Sequence, residues 1–205
     1  MDLTTVAALT FTLTAIAIEL TPGPNMVWLA IVAATDGRRA GFAAVAGVAL
    51  GLAVIGVAAA YGLATVIAGS PLAYQALRWA GVAYLLWLAW DGWRGVDDTP
   101  DQTELGFSMV RYFQRGLVTN LLNPKAFLFY VAVLPSFLSA PAKLADTLTL
   151  TAIYVAVATA IHGIIVTTAG AARDWLANTG RAVRVRRVLS LTLVAVAAWL
   201  VWQTR

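Results

Sequence analysis

The chain has 205 residues, of which 60% are hydrophobic and 12% charged, with a mean hydropathy of +0.79. Soluble domains carry about 25% charged residues, so most of this surface must face something other than water. The lack of cysteine excludes disulfides, thiolate metal sites and thiol redox chemistry, and the net charge of +4 does not indicate nucleic acid, because the basic residues sit in short loops between apolar runs.

Met1-Asp2-Leu3 lacks the basic region of a secretory signal, and the apolar run behind it is too long for one, so it reads as a retained first helix. A bilayer crossing takes roughly 20 apolar residues as helix. Six stretches are long enough: Leu3–Ala34, Ala40–Ala68, Leu72–Trp93, Gln114–Ser139, Ala145–Ala172 and Val185–Gln203. The first, second and fifth exceed the minimum and must tilt or break. Their connections carry turn residues at Asp36-Gly37, Gly69-Ser70-Pro71, Ala140-Pro141 and Asn178-Thr179-Gly180. The longest polar interruption, Gly95–Gly106, holds Asp97, Asp98, Pro100, Asp101 and Glu104. It splits a single transmembrane domain, 1–205, into a repeat over about 1–95 and another over about 106–205. Three crossings per half bring the second half in from the opposite side. The expected fold is an all-α polytopic membrane protein, with six transmembrane helices in two inverted three-helix repeats.

Orientation follows from lysine and arginine in the short loops. With both termini outside, ten basic residues fall inside (Arg38, Arg39, Arg94, Arg111, Arg115, Arg173, Arg181, Arg184, Arg186, Arg187) and three outside (Arg78, Lys143, Arg205). N-out and C-out is therefore expected. Trp87, Trp90 and Trp93 would lie at the inner interface and Trp199 and Trp202 at the outer one.

The first and fourth spans contain sequences that break helices: Glu19-Leu20-Thr21-Pro22-Gly23-Pro24-Asn25 and Asn120-Leu121-Leu122-Asn123-Pro124-Lys125. Proline removes a backbone donor and clashes one turn back. Backbone freed at membrane depth persists only where protein or a water-filled cavity satisfies it, and paired broken helices in two halves point to a transporter's binding site. Asn123-Pro124 and Gly23-Pro24 each suit the start of a half-helix, whose free N–H groups favour an anion. Carbonyls ending the preceding half-helix, with Glu19, favour a cation. The candidate substrate-binding and coupling residues are Glu19, Pro22, Gly23, Pro24, Asn25, Asn120, Asn123, Pro124, Lys125 and His162. An anion site beside a cation site matches the carboxylate and ammonium of an α-amino acid, and one fixed charge of each sign favours neutral amino acids over lysine or arginine. Glu19 and Lys125 can alternatively form a structural pair. His162, the one histidine, is either a packed core residue or a proton-coupling group. Pro135 is expected to kink the fourth span, and Asp91 to face Arg94. Gly47-Val48-Ala49-Leu50-Gly51 permits close helix contact within the bundle or between protomers, so a homodimer is one expectation.

Taken together, Pro22-Gly23-Pro24, Gly37-Arg38-Arg39-Ala40-Gly41, Gly47, Gly51, Asn120 to Lys125, Pro135 and Phe137 give the whole chain a resemblance to the LysE/RhtB family of bacterial amino-acid exporters. The resemblance implies a multi-pass protein of the cytoplasmic membrane that exports amino acids or related zwitterionic metabolites, driven by protons. His162 matches no motif of that family.

Other functions fit less well. Metal-ion efflux wants several converging carboxylates, histidines or thiolates. An intramembrane enzyme needs a nucleophile–base or metal constellation. Efflux of another small organic solute remains open. A membrane scaffold explains the hydrophobicity but not the matched breaks. Neither a cofactor nor a metal site is expected; the partners are an amino-acid-like solute, protons and lipid.

Overall fold

Proline and glycine set the ends of most helices. The structure is a computed structural model that describes residues 5–62, 69–94, 105–139 and 142–171, and, near the C-terminus, 187–188, 190–195, 197–198 and 202. All regular structure among these residues is helical. The first predicted span is two helices, α1 (Thr5–Leu20) and α2 (Pro24–Thr35), bent by 63°. Pro24 opens α2 at a position where its missing N–H costs nothing, behind an extended Gly23 (φ −144°, ψ 172°).

After α2 the chain reverses at Gly37, whose φ of 97° only glycine adopts without strain. Helix α3 (Arg38–Ala60) follows, and ends where Gly62 turns left-handed at φ 81°. Residues 63–68, where the second predicted span was expected to end, lie outside the described residues. Helix α4 (Pro71–Arg94) occupies the third predicted span.

The fourth span is also broken, with 50° between its arms. Helix α5 (Leu105–Leu121) precedes the break and α6 (Pro124–Leu128) follows it. α5 starts well before the predicted Gln114, since a helix can run on beyond the apolar stretch that hydropathy marks. The Arg115 guanidinium pairs with Asp91 at 2.8 Å and lies 5.1 Å from the Trp87 ring, so Asp91 has a partner in the next helix. Beyond α6 the chain widens into a π-helix (Phe129–Val133) and tightens into a 3₁₀ turn (Leu134–Phe137). The N–H of Leu134 reaches back to the Phe129 carbonyl, so the disturbance around Pro135 is absorbed as a change of winding. Helix α7 (Leu144–Ala171) matches the fifth span to within a residue at each end.

Two unbroken helices, α3 and α7, are long and apolar enough to cross a membrane, and each bent pair adds one more such span, giving up to four among the described residues. α4, with Gln75, Arg78 and Asp91 along it, is not among them. Most of the sixth span (Val185–Gln203) lies outside the described residues, although each described residue from 187 to 202 is helical. Also outside them are the linker at 95–104, the turns at 140–141 and 178–180, Trp199, Arg173, Arg181, Arg184, Arg186 and Arg205.

At the centre, α3 packs against α5 and α7. A Cβ on Gly47 would run into the Phe113 carbonyl, one on Gly51 would meet the Asn120 side chain at 2.9 Å, and one on Gly116 would strike the Ala44 carbonyl. Small residues let the two backbones touch. The Gly47/Gly51 pattern is therefore used inside the chain and gives no argument for a homodimer. Beside this crossing, Phe129 stacks on Tyr154 (centroids 3.6 Å apart, 11°) and Tyr130 meets Tyr154 edge-on (5.5 Å, 80°).

Candidate functional site at the two helix breaks

The two breaks meet in space. At the second, the Asn123 side chain accepts from the Lys125 backbone N–H at 3.1 Å, the N-cap that Asn-Pro foretells. At the first, Thr21 N–H bonds the Ile18 carbonyl at 3.1 Å, and Thr21 lies just past the end of α1. The Lys125 ammonium donates to the Thr21 carbonyl at 2.8 Å. Its aliphatic stem lies along Gly23, where an added Cβ would sit 3.3 Å from Cδ. The lysine of one broken helix thus caps the other.

Glu19 is 5% exposed and has other partners. The Tyr154 hydroxyl donates to its Oε1 at 2.7 Å, and His162 Nε2 lies 3.5 Å from its Oε2. The direct Glu19–Lys125 pair is not formed among the described residues: each has found another partner. A carboxylate within reach of an imidazole can share or exchange one proton, and the phenol steadies its charged form.

Between them lie the two asparagines. Asn25 Nδ2 donates to Asn120 Oδ1 at 2.7 Å, joining the breaks across 95 residues of sequence. Asn25 is 4% exposed and Asn120 0%, yet Asn25 Oδ1 and Asn120 Nδ2 have no partner, nor do both nitrogens of His162. Whichever way this amide pair is turned, it leaves one acceptor and one donor facing outward. Buried polar groups are nearly always paired, so these unpaired atoms mark a place for a polar ligand or water.

Glu19, Gly23, Asn25, Asn120, Asn123, Lys125 and His162 line one small chamber, with a cavity volume of about 10 Å³, room for roughly a single water. A second cavity of about 400 Å³ lies across Gly23, Asn123 and Lys125, and Pro22, Pro24 and Pro124 contribute to its walls. All ten candidate residues therefore border one cavity or the other. Its remaining walls are mostly apolar, including Ile18, Leu128, Phe129 and Val133. Its size falls at the lower end of the roughly 300–1,000 Å³ typical of small-molecule sites. Lys125 forms part of the partition between the two.

Sequence reasoning missed Tyr154, Met26, Leu52 and Ala126, which also line the polar chamber. Tyr154 was within reach, because it lies two helical turns before His162 and so on the same face of α7.

Among curated proteins, the chain is 36% identical over 132 residues to a homoserine/homoserine lactone efflux protein of Salmonella typhimurium, covering 62% of this chain and 63% of the relative. It is 35% identical over 139 residues to a leucine efflux protein of Klebsiella pneumoniae, covering 66% of this chain and 65% of the relative. It is 33% identical over 131 residues to an uncharacterized membrane protein of Vibrio cholerae, covering 63% of this chain and 64% of the relative. These alignments span just under two thirds of each relative. No solved structure matches. The profile described as LysE type translocator matches residues 16–204, and the chain belongs to that family.

Proposed function

We propose that the protein is a proton-coupled exporter of neutral amino acids or related small zwitterions across the bacterial cytoplasmic membrane. In this reading six spans form two inverted repeats, with both termini outside. The observation that carries it is the meeting of two helix breaks around buried, unpartnered polar atoms, with an acid and an imidazole on one side and an ammonium on the other. The relatives named for homoserine and leucine efflux support a neutral substrate.

The chemistry follows from these groups. A substrate carboxylate seated in the larger cavity draws the Lys125 ammonium from the Thr21 carbonyl, which opens the partition. The substrate ammonium then reaches Glu19 and the free acceptor of the asparagine pair. A proton arriving at Glu19 neutralises the carboxylate and releases the ammonium, so substrate and proton alternate at one acid. Lysine or arginine would bring a second cation that needs another buried acid.

The test is counterflow with purified protein in liposomes, using radiolabelled leucine, homoserine, threonine and lysine. Exchange of the neutral amino acids well above that of lysine is expected. Lysine exchange far exceeding the others would refute the charge argument, and no exchange of any would refute export of amino acids.

A further inference from the structure

The buried face of α7 is apolar except for a line of polar side chains: Thr147, Thr151, Tyr154 and His162. Tyr154 and His162 face Glu19, but Thr147 and Thr151 lie nearer the start of the helix. The Thr147 hydroxyl donates to the Lys143 carbonyl at 3.2 Å, as threonines in helices commonly do. Thr151 Oγ1 does not follow suit. It has no hydrogen-bond partner although the residue is 5% exposed. The hydroxyl of Tyr130, in the π-helical turn, is in the same condition at 2% exposed.

The two side chains border one space, Thr151 with its methyl group and Tyr130 with its hydroxyl end. A Cβ built on Gly56 of α3 would run into Thr151 Cγ2 and come within 2.8 Å of Tyr130 Cε1 and Oη. Glycine at 56 thus leaves the space on which both side chains border. From there the Tyr130 ring contacts Tyr154 edge-on at 5.5 Å, and Tyr154 donates to Glu19. The Thr151 and Tyr130 side chains thus lie between the beginning of α7 and the tyrosine that holds the buried acid, and their hydroxyls are not bonded to one another.

We propose that Tyr130 and Thr151, with Thr147 behind them, form a hydroxyl route for protons between Glu19 and the end of the bundle where α7 begins. It rests on the reading of the protein as a proton-coupled exporter. With the termini outside, α7 begins at the outer face, which is where protons enter when solute is exported. Each hydroxyl accepts a proton from a water on its oxygen and passes its own to the next, so it ends as it started. Glu19 alone changes, from carboxylate to acid. The other groups around that carboxylate are Tyr154 and His162 of α7, and Lys125 of α6 across the chamber.

A packing role makes the opposite forecast. Removing an unpaired buried hydroxyl while keeping the side-chain shape relieves a desolvation cost. Tyr130→Phe and Thr151→Val should therefore melt no lower than wild type. The experiment reconstitutes wild type, both variants and the double variant in liposomes with radiolabelled leucine and, separately, homoserine. Counterflow at equal pH on both sides reads substrate exchange, and accumulation against an imposed pH gradient reads proton use. The route requires exchange to stay within about twofold of wild type while gradient-driven accumulation falls at least about a hundredfold, the low end of what positioned proton transfer contributes. Accumulation retained in the double variant overturns it. Loss of exchange together with accumulation also overturns it, since the hydroxyls would then hold substrate. A wild type that exchanges neither probe sinks the export reading itself. One that exchanges but ignores the gradient sinks proton coupling, and the route with it.

Discussion

Gly47→Ala sets two effects against each other. In a helix interior alanine is favoured over glycine by roughly 0.5–1 kcal/mol, so propensity alone forecasts a more stable protein. The new Cβ, however, would overlap the Phe113 carbonyl and come within 2.8 Å of the Leu117 amide nitrogen and 2.9 Å of the Phe113 carbonyl carbon. These are backbone atoms, and no rotamer change moves them, so α3 and α5 must separate. Overpacking of this kind costs about 1–3 kcal/mol, and a backbone obstacle belongs at the upper end. The clash wins by about 1–2 kcal/mol, which for a chain of this length lowers the melting temperature by roughly 2–8 °C. Gly163→Ala is the control: its Cβ would meet only Phe42 Cε1 at an ordinary 3.8 Å, so that variant should melt at or above wild type. Intrinsic fluorescence of the detergent-solubilised protein, which has eight tryptophans, follows both transitions. Exchange should also fall in Gly47→Ala, because α5 carries Asn120 to its bond with Asn25. If Gly47→Ala melts as high as Gly163→Ala, the close α3–α5 crossing is wrong.

Tyr154→Phe keeps the stacking on Phe129 but removes the donor to Glu19. A hydrogen bond to a charged group is worth about 1.5–3 kcal/mol of stability, so the variant should melt lower by roughly 3–12 °C and leucine counterflow should slow; unchanged transport would deny the phenol any part in the site. Glu19→Gln should abolish the response to a pH gradient, and Lys125→Met should raise the substrate concentration needed for half-maximal exchange; normal transport by both variants would make the two residues merely structural. The cysteine-free chain also suits accessibility labelling: Arg184→Cys should react only from the cytoplasmic side, and labelling from outside would invert the topology.

Much of this arrangement was legible in the sequence because its causes are local. Pro22, Pro24 and Pro124 act on backbone within one turn, so both breaks stand where the residues put them. The cap of Asn123 on the Lys125 amide spans two residues and follows the same logic. Length and hydropathy similarly anticipated α7 almost to the residue. Gly62 set another boundary, the end of α3, which is a matter of backbone conformation and not of hydropathy.

What tertiary structure alone decided is the choice of partners. Opposite charge suggested Glu19 with Lys125, yet Lys125 goes to the Thr21 carbonyl 104 residues away, and Glu19 takes Tyr154 across 135. Charge counting names which groups need company at low dielectric, but reach and orientation select among them, and those depend on how α1, α6 and α7 cross. The Asn25–Asn120 bridge and the placing of Tyr130 and Thr151 beside Gly56 are of the same kind. Such contacts form between helices far apart in the chain, where local residue chemistry has no say until the helices have packed.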